Sequence, residues 1–210
     1  MKLMVNGYEA HVATGGKKFE KNLPTVLFLH GSGLDHRSWA LQTRWFAYNG
    51  FGVLAPDFPG HSLSKGAPCV TIEDSGKWLA DFLDAMGVRE AHVVGHSQGF
   101  LSALELSKLR PTALKSLIGV GTAAAIPVNP MLIETAGRSP MKAADLMLQW
   151  GFGHQTQMGV SATPGMQPIA IGRQIMGNNP LAVDLQCCAD YCGGVDAVGL
   201  VTAPSAMILA

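Results

Sequence analysis

The sequence predicts an α/β protein: a mostly parallel, doubly wound sheet with a helical insertion. Short uninterrupted apolar runs, such as residues 25–29 and 52–55, alternate with longer stretches of helical periodicity. The loops that follow residues 29, 55 and 95 are rich in glycine and polar side chains, and parallel topology puts them on one sheet edge. Between residues 126 and 194 the strand pattern stops and helical patterns take over. Strands alternating with helices imply right-handed crossovers and a sheet covered on both faces.

Residues 3–5 and 10–13 read as two strands joined through Asn6-Gly7, a strong hairpin-turn dipeptide. Residues 15–18 are loop, and 25–29 has the continuous apolar character of a central parallel strand. Residues 39–48 have helical character, closed by Asn49-Gly50, and 52–55 is the next buried strand. Thr71 caps a helix in which Asp74 holds the capping-box position. Trp78, Leu79, Phe82, Leu83 and Met86 form its apolar face, and Gly87 ends it. Residues 91–94 are a strand, 100–109 a helix stopped before Pro111, and 114–120 a further strand. Segments 130–136, 140–150, 166–176 and 180–191 read as helices started by Asn129-Pro130, Ser139-Pro140 and Asn179-Pro180. Residues 204–209 return to a buried-strand pattern. The expected organisation is a core over 1–125, a helical lid over 126–194 and a return to the core over 195–210.

Apolar residues make up 48% of the 210, so there is ample material for one core domain. Fifteen acidic side chains balance fifteen basic ones, which removes any electrostatic reason to expect nucleic acid or an anionic membrane as partner. The start of the chain does not resemble a signal peptide, and the longest apolar run, residues 114–127, is too short to span a bilayer. Cysteines 69, 187, 188 and 192 form no Cys-x-x-Cys pair, so reduced thiols in a cytoplasmic protein are expected. No metal-ligand cluster and no phosphate-binding loop is evident, and neither a metal nor an organic cofactor is expected.

The chain is organised around Gly95-His96-Ser97-Gln98-Gly99, between the strand at 91–94 and the helix at 100–109. Strand, Gly-x-Ser-x-Gly and helix together are the context of a nucleophile elbow. So tight a turn needs small residues two before and two after the serine, and Gly95 and Gly99 supply them. The competing interpretation is a glycine-rich turn that only packs closely.

With Leu27-Phe28-Leu29-His30-Gly31-Ser32-Gly33 and Asp57-Phe58-Pro59-Gly60-His61-Ser62, three motifs stand in order, and the chain resembles the α/β-hydrolase superfamily. The likeness covers residues 20–125 well. Ser62 stands where that family usually has glycine, and Ser64 stands in its serine position. The resemblance implies acyl transfer on a small ester, thioester, lactone or activated carbon–carbon substrate with an apolar portion. Ser97 is then the nucleophile, and the backbone N–H groups of Ser32 and Gln98 form the oxyanion hole. A serine here argues against the dehalogenase and epoxide-hydrolase branches, which have aspartate. The family places its acid after the post-lid strand and its histidine after the last strand. Both would fall beyond Ala210, so a truncated hydrolase with negligible esterase activity is expected, marginally stable or homo-oligomeric because of an unpaired edge strand. The alternatives are a catalytically silent binding module of the same fold, or a cofactor-free perhydrolase or haloperoxidase.

His36, Trp150 and His154 are candidates for substrate contact. His30 and His61 are expected to bond their own loops, His96 to be structural, and Asp57 to stabilise its turn. Asp35, Asp184 and Asp190 are expected to be solvated or capping residues. The lid methionines at 131, 141, 147, 158, 166 and 176 either line an apolar pocket or form ordinary lid core. Phe152 and Arg173 carry the same ambiguity.

Overall fold

The computed structural model describes residues 1–157 and 167–209. Strands β1 (Lys2–Val5) and β2 (Tyr8–Ala13) pair antiparallel around Asn6-Gly7, both with positive φ, as a type I′ turn requires. Strands β3 (Thr25–Leu29) and β4 (Gly52–Pro56) are buried at every residue. Strands β5 (Ala91–His96), β6 (Leu114–Val120) and β7 (Ser205–Ile208) complete one sheet in the order β1-β2-β4-β3-β5-β6-β7. From β4 to β7 every pairing is parallel. The antiparallel hairpin joins through β2 and β4.

A 3-10 turn over His36–Trp39 leads into helix α1 (Ala40–Tyr48). Helix α2 (Ile72–Met86) has the boundaries its caps dictate. The Asp74 N–H donates to Thr71 Oγ1 at 3.0 Å, and Gly87 takes the left-handed φ of 65° that ends it. Its buried face stacks Trp78 on Phe82 and lies against helix α3 (Gln98–Leu109). A Cβ placed on Gly76 would stand 2.4 Å from the Cβ of Glu105, so the two helices cross at contact distance there.

Helices α4 (Pro130–Arg138), α5 (Pro140–Gly151), α6 (His154–Gln157), α7 (Pro168–Met176), α8 (Leu181–Asp190) and α9 (Gly194–Leu200) follow. The proline starts at 130 and 140 hold, whereas α6 and α9 correspond to none of the expected segments. The insertion has an apolar core of its own, in which Leu132, Ala143, Leu148, Met176, Leu181 and Leu185 meet. Helix α9 lies beside α3. Met158 and Met166, the latter the first residue of the expected 166–176 helix, lie outside the described residues. One expectation is corrected: the last strand is not buried. All four residues of β7 are exposed, because it is an edge strand paired on the β6 side.

Gly76→Ala is expected to lower stability by about 1–2 kcal/mol, overpacking outweighing the gain in helix propensity. Gly137→Ala, where a Cβ meets nothing within 4 Å, is expected to raise it by up to about 1 kcal/mol. Urea midpoints of the two variants against the parent check both signs.

Candidate active site

Strand β5 ends and α3 begins across Ser97, whose φ of 49° and ψ of −121° lie outside the ordinary regions for an L residue. Such a conformation costs on the order of 1–3 kcal/mol and persists only where its surroundings hold it. They do. The Ser97 N–H donates to the Val120 carbonyl of β6 at 3.1 Å, and its carbonyl accepts from the Phe100 N–H at 3.0 Å and Thr122 Oγ1 at 3.1 Å. The flanking glycines have no alternative. A Cβ on Gly95 would lie 2.5 Å from Phe100 Cα, and one on Gly99 would lie 2.5 Å from the Leu29 carbonyl oxygen and 2.6 Å from that of His30.

The end of β3 meets this elbow directly. A Cβ on Gly31 would stand 3.1 Å from Ser97 Cβ, so the peptide leading into Ser32 runs against the serine. Residues 31–34 form a turn closed by the Leu34 N–H donating to the Gly31 carbonyl at 3.0 Å. A positive φ of 66° at Gly33 marks that turn as type II. The amide of Gln98 opens α3 and has no intrahelical acceptor. No protein acceptor is found for the amide of Ser32 among the described residues.

A buried polar cluster lies behind this loop. The Asp184 carboxylate of α8, 2% exposed, accepts from the Gly33 N–H at 2.7 Å, His61 Nε2 at 2.8 Å and Gln98 Nε2 at 3.4 Å. His61 Nδ1 faces the Pro59 carbonyl at 3.0 Å. Both partners of the ring accept, so both nitrogens carry protons and His61 is an imidazolium. Burial alone would lower its pKa, but the Asp184 carboxylate overcomes burial and holds it above 6.5. His30 is its neutral neighbour, with ring centroids 5.0 Å apart. His30 Nε2 accepts the Phe58 N–H at 3.1 Å while Nδ1 donates to the Gly31 carbonyl at 3.0 Å. Burial, then the charge of His61, push its pKa down to about 4.

Above Ser97 lies a cavity of about 460 Å³. Ser32, Arg37, Ser38, His96 and Ser97 give it a polar floor and side; Met147, Leu148, Phe152, Ile171, Ile175 and Met176 give it an apolar roof. His96, next to the serine in sequence, therefore shares its cavity, and burial lowers its pKa. Met147 and Met176 both line the cavity and join the core of the helical insertion, so both readings of these methionines apply to them. Met131 is exposed. Arg173 pairs with Asp145 instead of lining the cavity.

Three expected substrate contacts stand elsewhere. His36 is turned away by Asp57, whose Oδ1 accepts from both its N–H at 2.8 Å and its Nδ1 at 2.7 Å. Trp150 is 64% exposed, because α5 presents its opposite side to the cavity, and His154, at the start of α6, is exposed. Asp35 caps the 3-10 turn through the Arg37 N–H, as expected, yet it is buried and pairs with the Arg37 guanidinium. Asp184 is neither solvated nor a cap. Its place in Leu181-Ala182-Val183-Asp184-Leu185, a carboxylate on the apolar side of a helix, was the signal available. The expectation of no ligand cluster is also corrected. His11, His36 and Asp57 bring one ligand atom each within 4.8 Å of one another, although they are scattered over three elements and form no sequence motif. Asp57 Oδ1 is already taken by the two His36 donors, so a metal held there would have to displace them.

Residues 24–159, well over half of the chain, match the family described as alpha/beta hydrolase fold. Among characterised relatives, 3-oxoadipate enol-lactonase 1 of Acinetobacter baylyi is 30% identical over 106 residues, 50% of this chain and 40% of that protein. The acetyltransferase component of the acetoin cleaving system of Cupriavidus necator is 37% identical over 105 residues, 47% of this chain and 28% of that protein. The matched stretch thus spans less than half the length of either relative. The fold is shared with the enol-lactonase of Burkholderia xenovorans LB400, at a TM-score of 0.83 and 20% identity over 100% of this chain and 80% of that one.

The two buried histidines set opposite pH limits. His30 stays neutral in the fold while the unfolded chain takes up its proton near 6.5, so its contribution, on the order of 3 kcal/mol at most, is lost as pH falls from 6.5 toward 4. His61 contributes as a cation below 6.5, and that contribution is lost as pH rises through its raised value. Urea midpoints measured from about pH 4.5 to about 8.5 are expected to peak between these limits. A midpoint that rises steadily toward acid would contradict the assignment of His30.

Proposed function

Because this chain belongs to the α/β-hydrolase fold family, we propose that it is a serine hydrolase in which Ser97 attacks an acyl carbon. The relatives that match it include a 3-oxoadipate enol-lactonase and a 2-hydroxy-6-oxononadienedioate hydrolase. The proposed substrate is a small ester, thioester, lactone or activated carbon–carbon compound with an apolar portion. The observation that carries the reading is the strained, glycine-flanked backbone of Ser97 at the floor of the cavity.

In this reading the Ser97 hydroxyl adds to the carbonyl and its proton passes to a general base. Negative charge develops on the carbonyl oxygen, which is held by the amides of Ser32 and Gln98. Fixed donors of this kind are typically worth about 3–4 kcal/mol each in the transition state. The start of α3 adds the positive end of its dipole. The apolar roof from α5 and α7 takes the apolar portion of the substrate and excludes water from the acyl centre.

No histidine among the described residues hydrogen-bonds the Ser97 hydroxyl, so acylation of this chain is expected to be slow. A serine without a base retains only roughly 10³-fold acceleration from the oxyanion hole and binding. Prolonged incubation with a fluorophosphonate probe is expected to give an adduct that maps to Ser97 and disappears in Ser97→Ala. An adduct on another residue, or none in the parent, would overturn the proposal.

A further inference from the structure

The oxyanion loop is gripped from the lid. Asn179 precedes α8 and is 7% exposed. Its Nδ2 donates to the carbonyls of Gly33 and Leu34, both at 3.0 Å, while its Oδ1 accepts the Ser62 N–H at 2.8 Å. Asp184 takes the Gly33 N–H and the His61 imidazolium. Leu181, between them, closes over the loop, since a Cβ on Gly33 would lie 2.8 Å from its Cδ1. Within six residues the lid thus binds both polar groups of Gly33, one of Leu34 and the adjoining loop at Ser62.

We propose that Asp184 and Asn179 are positioning residues for the oxyanion hole, clamping the turn at 31–34 so that the amide of Ser32 is the one presented beside Ser97. The inference rests on the proposed role of Ser32. In a type II turn the central peptide, here Ser32–Gly33, has two orientations that differ by a flip. The flipped form would turn the Gly33 N–H away from Asp184, leaving a buried carboxylate short of a donor. Asp184 therefore selects one orientation of that peptide. The Ser32 N–H belongs to the preceding Gly31–Ser32 peptide, whose carbonyl accepts the Leu34 N–H at 3.0 Å, so the clamped turn fixes its direction through that bond. Asn179 holds the two carbonyls that follow, so the turn cannot slide along the end of β3. His61 keeps the carboxylate aimed, and its own loop is tied to the same lid residue through Ser62. The clamp makes the lid part of the reaction centre: the same segment that roofs the cavity fixes where negative charge can be received.

The test compares Asp184→Ala and Asp184→Asn in the full chain. Asparagine keeps an acceptor for the Gly33 N–H and can donate to a His61 ring that has lost its Nε2 proton. Hydrogen exchange of the Gly33 amide, followed by NMR, is expected to be slow in the parent and in Asp184→Asn. In Asp184→Ala it is expected to be about tenfold faster or more, while the amide of Leu27 in β3 is unchanged. The rate of phosphonylation of Ser97 is expected to fall about tenfold or more in Asp184→Ala and to stay within about threefold of the parent in Asp184→Asn. A role confined to stability would shift the melting temperature but leave this rate unchanged in the folded protein. Parent-like Gly33 exchange in Asp184→Ala, a parent-like labelling rate in that variant, or an equal loss of rate in Asp184→Asn would each overturn the clamp. If the parent gives no Ser97 adduct, the hydrolase reading fails, and the exchange measurement alone decides whether the clamp exists.

Discussion

The architecture depends on a near-contact between two backbones. Where β5 turns into α3, the helix start presses on the end of β3 so closely that the carbonyl oxygens of Leu29 and His30 occupy the space a side chain on Gly99 would need. The same crowding excludes a Cβ at Gly95 and brings the backbone of Gly31 against Ser97. Close packing of this kind transmits position with little slack. The Cβ of Ser97, the start of α3 and the end of β3 are thereby held close to one another by main chain, which has few soft degrees of freedom.

Charge is buried behind this contact, and its arrangement is specific. An ionised carboxylate taken out of water is costly unless it is paired and hydrogen-bonded. Asp184 meets both conditions, with an imidazolium, a backbone amide and a side-chain amide around it. His30 lies beside that imidazolium and stays neutral, locked by one donated and one accepted bond. Two histidines with ring centroids 5.0 Å apart therefore take opposite protonation states, set by whether their partners accept or donate.

Much of the fold was legible in the sequence because its signals are local. The turn dipeptide at Asn6-Gly7, the cap at Thr71 and the stop at Gly87 set element boundaries through backbone chemistry within a few residues. Strands β3 and β6 match their apolar runs at both ends. The elbow was legible for the same reason, since its glycines answer a steric demand two positions away. What was not legible depends on distant partners. Asp184 is separated from Gly33 by 151 positions, and nothing near it in sequence announces a main-chain donor. His36 is claimed by Asp57, whose carboxylate no spacing rule assigns to it. The chemistry of Trp150 suits a substrate contact, but the rotation of α5 decides which of its faces meets the cavity. Ser62, a departure from the usual glycine, adopts a φ of 47°, the conformation that makes glycine usual there, with its N–H held by Asn179.

Met176 and Leu148 are each both wall and mortar: they border the space above Ser97 and also hold the inserted helices together. The size of the chamber is consequently not an independent variable. Trimming either residue to admit a bulkier guest loosens the roof, and filling the chamber forces the helices apart. Changes to the size of the chamber should therefore proceed through compensated pairs, in which a loss on the inner surface of these helices is matched by a gain on their outer seam.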